Sequence, residues 1–96
     1  MAFLLFRAME GPNNKDNSQL EAKQLEVYKK IGAKIKALRV EKGYTSYEDF
    51  AYENDISRSQ FGKYERGTDM RISSLVKILY ALDIDIEDFF KKIEDK

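Results

Sequence analysis

Four side chains able to hydrogen-bond lie close together in one short segment: Arg58, Ser59, Gln60 and Lys63. Guanidinium, amide, hydroxyl and ammonium groups distinguish base edges in the major groove of B-DNA, which is wide enough to admit a helix. Ser57 precedes the segment as a helix N-cap and Gly67 follows it as a helix stop, while Phe61 and Tyr64 supply a narrow apolar side. The segment is therefore predicted to be a helix that presents polar groups to a polar partner such as DNA.

The composition lacks two of the side chains that enzymes use most often. The chain has 96 residues, enough for one small domain, and contains neither cysteine nor histidine. It therefore lacks the usual thiolate nucleophile and zinc ligand, and the commonest general base. The acidic run Asp83–Asp88 lacks the glycine and the final glutamate of a calcium loop. We expect a protein that is not an enzyme, with no catalytic residue, no metal and no cofactor.

The charge distribution permits DNA binding by one face. The formal net charge is zero, but ten basic and seven acidic side chains lie between Lys29 and Arg71. From Ile72 onward the balance reverses, with six acidic and four basic side chains. No apolar run reaches the roughly 20 residues of a membrane helix, and the first residues lack the basic start of a secretory signal. We expect a cytoplasmic protein that does not enter a membrane.

Helical spacing of apolar residues predicts an all-helical domain at 21–96, preceded by a flexible arm at 1–20. The polar composition of residues 11–18 favours the arm, because so few apolar groups cannot offset the entropy of ordering. Five helices are expected, with approximate ranges Leu20–Lys42, Tyr47–Asn54, Arg58–Arg66, Ser74–Leu82 and Ile86–Ile93. Their predicted N-caps after the first helix are Ser46, Ser57, Ser73 and Asp85. The aromatic residues assigned to the core are Phe50, Phe61, Tyr64, Phe89 and Phe90.

The order of these segments resembles the Cro/cI-type (Xre-like, lambda-repressor-like) helix-turn-helix family between Ile31 and Phe90. The resemblance rests on Ile31-Gly32, Leu38-Arg39, Phe50-Ala51, Ile56-Ser57 and Tyr64-Glu65-Arg66-Gly67, followed by two apolar helices. It implies a five-helix lambda-repressor-like fold. It also implies a sequence-specific transcriptional regulator, of repressor type, that binds double-stranded DNA as a homodimer.

The resemblance makes the third helix the one that reads the major groove. The expected base-reading residues are Arg58, Ser59, Gln60 and Lys63. Phosphate contacts are expected from residues at helix N-termini, where free N–H groups attract anions, and from residues after the reading helix: Ser46, Tyr47, Ser57, Arg66 and Thr68. The resemblance also places Arg39 and Glu65 where the family forms an ion pair between the first and third helices, and we assign this pair a structural role.

The sequence departs from the family pattern at the turn before the reading helix. Asp55 stands where the family usually has glycine, and Asn54 stands where an apolar residue is common. Gly62 lies in the middle of the reading helix, where glycine implies close approach of DNA or of another helix, or a cost that the fold absorbs. The alternative function is a protein-binding module on the same scaffold, such as an antitoxin-like or adaptor subunit, which the neutral net charge and the acidic C-terminal part favour.

Overall fold

The computed structural model describes the backbone of residues 16–93 and the side chains of residues 17–93. Within this range the chain forms helices and no strands, as predicted. The elements are α1 (Asp16–Glu41), α2 (Tyr47–Glu53), α3 (Arg58–Arg66), α4 (Ile72–Leu82) and α5 (Ile86–Ile93). α1 packs against α3 and also contacts α2 and α5, α2 packs against α3, and α4 packs against α5. The pair α2–α3, joined by a short turn, is thus held against one side of α1.

The core forms because every helix contributes an apolar side. Ten buried apolar side chains make one cluster: Ile35, Phe50, Ala51, Phe61, Tyr64, Leu75, Ile78, Leu79, Leu82 and Phe89. The rings of Phe50 and Phe61 lie 5.1 Å apart between α2 and α3. Leu75, Ile78, Leu79 and Leu82 from α4 belong to the same cluster, so α3 and α4 share one core.

The N-terminal boundary of α1 differs from the sequence prediction. The helix begins at Asp16 rather than near Leu20, so residues 16–20, assigned to a flexible arm, are helical. Residues 17–27 are exposed, and ion pairs on the helix surface join Glu26 to Lys23 and Lys30. Such pairs stabilise a helix without any apolar burial, so no apolar stripe marks this part of α1. The remainder of the predicted arm, residues 1–15, lies outside the described residues.

Two further predictions are wrong. Ser73 does not cap α4, because the helix begins at Ile72 after Arg71, whose carbonyl already accepts the N–H of Leu75. Ser73 therefore lies in the first turn. Phe90 is 42% exposed, whereas Phe89 is fully buried. Neighbouring residues on a helix point about 100° apart, and a helix as short as α5 can turn only one of the two rings inward.

The predicted ends of α2 and α3 are present at Ser46, Ser57 and Gly67. Ser46 begins α2 by accepting a hydrogen bond from the N–H of Asp49 at 3.3 Å. Ser57 begins α3 in the same way, accepting from the N–H of Gln60 at 3.4 Å. Gly67 ends α3 in the left-handed conformation, with φ of 103°. These bonds satisfy backbone groups that each helix end leaves free, and they fix where α3 begins and ends.

Candidate nucleic-acid interface

The outer side of α3 presents the residues that the sequence analysis assigned to base reading. Phe61 and Tyr64 point into the core, Gly62 and the Glu65 side chain are also buried, and the opposite side of α3 is turned to solvent. The exposed side chains on α3 include Arg58, Ser59, Gln60, Lys63 and Arg66. The structure thus brings the four predicted base-reading residues together on one helix with their polar ends accessible. Their contacts with bases remain a prediction.

The start of α2 lies beside the start of α3. Tyr47 packs its ring where a Cβ on Gly62 would be, with its Cε1 atom 2.9 Å from that position. This contact explains the glycine in the middle of α3. Of the alternatives that the sequence left open, close approach of another helix is the one that applies. A shallow depression between the two N-termini is lined by Tyr47, Glu48, Ser57, Arg58 and Ser59.

Two helix N-termini border this depression, and its lining carries charges of both signs. Free N–H groups at two helix N-termini attract a phosphate, and Arg58 adds a positive charge beside them. Glu48 opposes this attraction and accepts a hydrogen bond from the Ser46 hydroxyl at 3.1 Å. A phosphate bound to Ser46 would have to replace that bond. Glu48 was not among the residues predicted from the sequence, although it lies in the first turn of α2, two residues after Ser46.

The other predicted phosphate contacts lie at the opposite end of α3. Arg66 and Thr68 are exposed on either side of Gly67. The Gly67 backbone lies against Lys29 of α1. A Cβ at Gly67 would be only 2.7 Å from the Lys29 Cγ atom. Lys29 is therefore a further exposed cation at this end of the helix, and no sequence pattern assigned it to the site.

A buried ion pair fixes α3 to α1. The Arg39 Nε donates to Glu65 Oε2 at 2.7 Å, and Nη2 donates to Oε1 at 3.1 Å. The two side chains are 3% and 7% exposed. The third nitrogen, Nη1, donates to the carbonyl of Tyr44 at 2.7 Å, so the same guanidinium also holds the α1–α2 loop. The pair is present where the family resemblance places it.

Tyr44 extends this connection to α2. Its ring meets Phe50 edge to face at 5.1 Å, and its hydroxyl donates to Glu53 at 2.8 Å. That hydrogen bond, together with burial and the nearby charge of Glu53, raises the pKa of Tyr44. The shift favours the protonated hydroxyl, which is the form that donates this hydrogen bond.

The turn between α2 and α3 holds a residue in the left-handed region. Asp55 has φ of 59°, at the position where the family usually has glycine. Asn54 ends α2, and its side-chain amide donates to the Phe50 carbonyl at 2.8 Å, which replaces an apolar contact with a hydrogen bond. The N–H of Ile56 bonds to the Ala51 carbonyl at 2.8 Å. The turn geometry of a helix-turn-helix is thus retained despite both departures.

Comparison with known proteins identifies the family. The family model for the Cro/C1-type HTH DNA-binding domain matches residues 34–95, more than half of the chain. The chain belongs to this family. The predicted all-helical fold and the predicted function, a DNA-binding regulator, are confirmed. No curated protein sequence matches the chain significantly.

Solved structures give the same result for this Cro/C1-type domain. It is 31% identical to the wild-type restriction-modification controller protein C.Esp1396I, with a TM-score of 0.62, over 70% of this chain and 87% of that one. A threonine-to-alanine mutant of the same controller protein is 30% identical, with a TM-score of 0.63, over 71% of this chain and 91% of that one. Among the helices of residues 16–93, none is long and apolar enough to cross a membrane.

Proposed function

We propose that this Cro/C1-type domain is a repressor-type transcriptional regulator that binds paired DNA half-sites as a homodimer and reads each half-site with α3. The observation that carries the proposal is the exposure of Arg58, Ser59, Gln60 and Lys63 on one helix whose other side is locked into the core. Arg58 is the first candidate for a base contact, since its fork matches the O6 and N7 atoms of guanine. Ser46, Tyr47, Ser57, Arg66 and Thr68 are the proposed phosphate contacts. The similarity to C.Esp1396I makes control of a restriction-modification system the first kind of regulation to test.

Base reading can be tested in two steps. Bound duplexes are selected from a random pool, and the affinity for the consensus duplex is then measured by fluorescence-anisotropy titration. Arg58→Ala should weaken binding to the consensus site by about 1–3 kcal/mol. It should also relax the preference at one base position, since a base contact discriminates between sequences. Arg66→Ala is the matched control. It should weaken binding to every duplex by the same factor. It should also lower the slope of log affinity against log salt concentration by about 1, as expected for a phosphate contact. An equal loss on all sequences for Arg58→Ala would contradict base reading, and a pool that yields no consensus would favour the protein-binding alternative.

The proposed dimer contact is an exposed apolar surface on α4 and α5, formed by Val76, Tyr80, Ile86 and Phe90. Val76 and Tyr80 are one turn apart on α4, as are Ile86 and Phe90 on α5, so each pair lies on one side of its helix. A shallow apolar depression joins the two helices at Val76, Tyr80 and Ile86. Tyr80 is 87% exposed, although tyrosine is enriched in the buried centres of protein interfaces. Contiguous apolar surface of this kind marks an interaction site.

Tyr80→Glu should shift the protein toward monomer, weakening the dimer by about 2 kcal/mol, as for a central interface residue. Sedimentation velocity across a concentration series measures the shift. Tyr52→Glu is the matched control, since Tyr52 is also largely exposed but lies on α2. If both variants sediment like the wild type, the α4–α5 surface is not the dimer contact.

A further inference from the structure

The turn before α3 contains an energetic liability that the rest of the fold must offset. A left-handed backbone is uncommon for residues other than glycine, although Asp and Asn tolerate it better than most. Asp55 adopts this conformation two residues before Ser57, the N-cap of α3. Any relaxation of Asp55 would therefore change the direction in which α3 begins. The contacts of this residue decide how firmly the reading helix is set.

One such contact comes from a distant part of the chain. The ammonium of Lys77, on α4, donates a hydrogen bond to the backbone carbonyl of Asp55 at 2.6 Å. Its neighbour Ile78 is almost fully buried, so this part of α4 is fixed in the core. Lys77 extends along a shallow depression between α4 and the turn, which Ile56, Ser57 and Gln60 also line. The bond therefore joins a fixed helix to the carbonyl of the strained residue.

We propose that Lys77 is a positioning residue for DNA recognition: its bond to the Asp55 carbonyl holds the left-handed turn and thereby sets the orientation of α3. This inference rests on the proposed reading role of α3. A charged donor forms a stronger hydrogen bond than a neutral one, and the carbonyl that accepts it lies two residues beyond the last residue of α2. Lys77 thus does part of what a glycine would do at residue 55, by stabilising the strained conformation instead of removing the strain.

A second left-handed aspartate provides an internal reference. Asp83, between α4 and α5, has φ of 63° and is followed by Ile84, whose N–H bonds to the Leu79 carbonyl at 3.1 Å. The turn at Asp55 has the same arrangement, with the N–H of Ile56 bonded to the Ala51 carbonyl at 2.8 Å. Hydrogen exchange at Ile56 and Ile84 therefore compares two similar turns in one molecule.

The experiment removes the ammonium and keeps the aliphatic stem. Lys77→Met should speed amide exchange at Ile56 about fivefold, which corresponds to the loss of one net hydrogen bond. The exchange rate at Ile84 should stay unchanged. The same variant should lower the affinity for the consensus duplex by a similar factor and leave the affinity for non-specific duplex unchanged. Lys91→Met, on α5, is the matched control with the same loss of charge, and it should change neither measurement.

Two measurements separate positioning from other roles. If Lys77 touched a phosphate, Lys77→Met would lower the slope of log affinity against log salt by about 0.9, whereas positioning leaves the slope unchanged. Asp55→Gly, which relieves the strain, should make the Lys77→Met change smaller in both assays. A reduced salt slope, or unchanged exchange at Ile56, would overturn the inference. Because exchange is measured without DNA, its result does not depend on whether α3 reads bases.

Discussion

Arg39→Met should lower the free energy of unfolding by about 3–5 kcal/mol, because it leaves the carboxylate of Glu65 buried without a partner. Glu65 accepts two hydrogen bonds from the guanidinium and is 7% exposed, so water cannot replace both. The same substitution also frees the Tyr44 carbonyl. Urea denaturation followed by circular dichroism measures the loss, with the slope of the transition showing whether unfolding stays two-state.

A double variant and an exposed ion pair serve as controls for this prediction. Arg39→Met combined with Glu65→Leu should recover most of the stability, since replacing both charges of a buried pair by apolar groups is often neutral or better. Lys23→Ala removes the exposed pair with Glu26 and should change stability by less than about 1 kcal/mol. If Arg39→Met alone is as mild as Lys23→Ala, the pair is not buried in solution, and it does not fix α3 to α1.

The helices were predictable where one local signal marked both their type and their ends. Ser46 and Ser57 could be assigned as caps because the accepting hydroxyl and the N–H that it binds lie within one turn. The start of α4 was missed because Arg71 begins it without a side-chain hydrogen bond, so no residue type marks it. The start of α1 was missed because residues 17–27 are all exposed, so no apolar burial marks its first turns.

The site was predictable where it lies on one helix and not where it depends on contacts between helices. The apolar positions Phe61 and Tyr64 fix which side of α3 faces outward, and the exposed residues follow from that. The contact of Lys77 with Asp55 spans 22 positions, and nothing in either local segment indicates it. The roles of Gly32 and Gly62 belong to the same class, because they depend on how closely two helices approach.

The close approach of α1 to α3 depends on Gly32. A Cβ at this position would lie 2.7 Å from the carbonyl oxygen of Glu65 and would also overlap that of Tyr64. Both carbonyls belong to the last turn of α3, and the Tyr64 carbonyl accepts a hydrogen bond from the N–H of Gly67 at 3.1 Å. Without a side chain at Gly32, the α1 backbone packs directly on this turn, and this closeness lets Arg39 reach Glu65 with good geometry.

Gly32→Ala should therefore destabilise the domain by about 3 kcal/mol, the upper end of the usual cost of overpacking, because backbone cannot move aside as a flexible side chain can. The loss should occur although alanine favours a helix over glycine by about 1 kcal/mol. Gly62→Ala is the matched control: its Cβ meets the ring of Tyr47, which can rotate, so we expect a change within about 1 kcal/mol. Thermal and urea denaturation of both variants measure the contrast. Equal stability of the two variants would show that α1 and α3 are further apart than the structure places them, and that the anchoring of the reading helix needs another explanation.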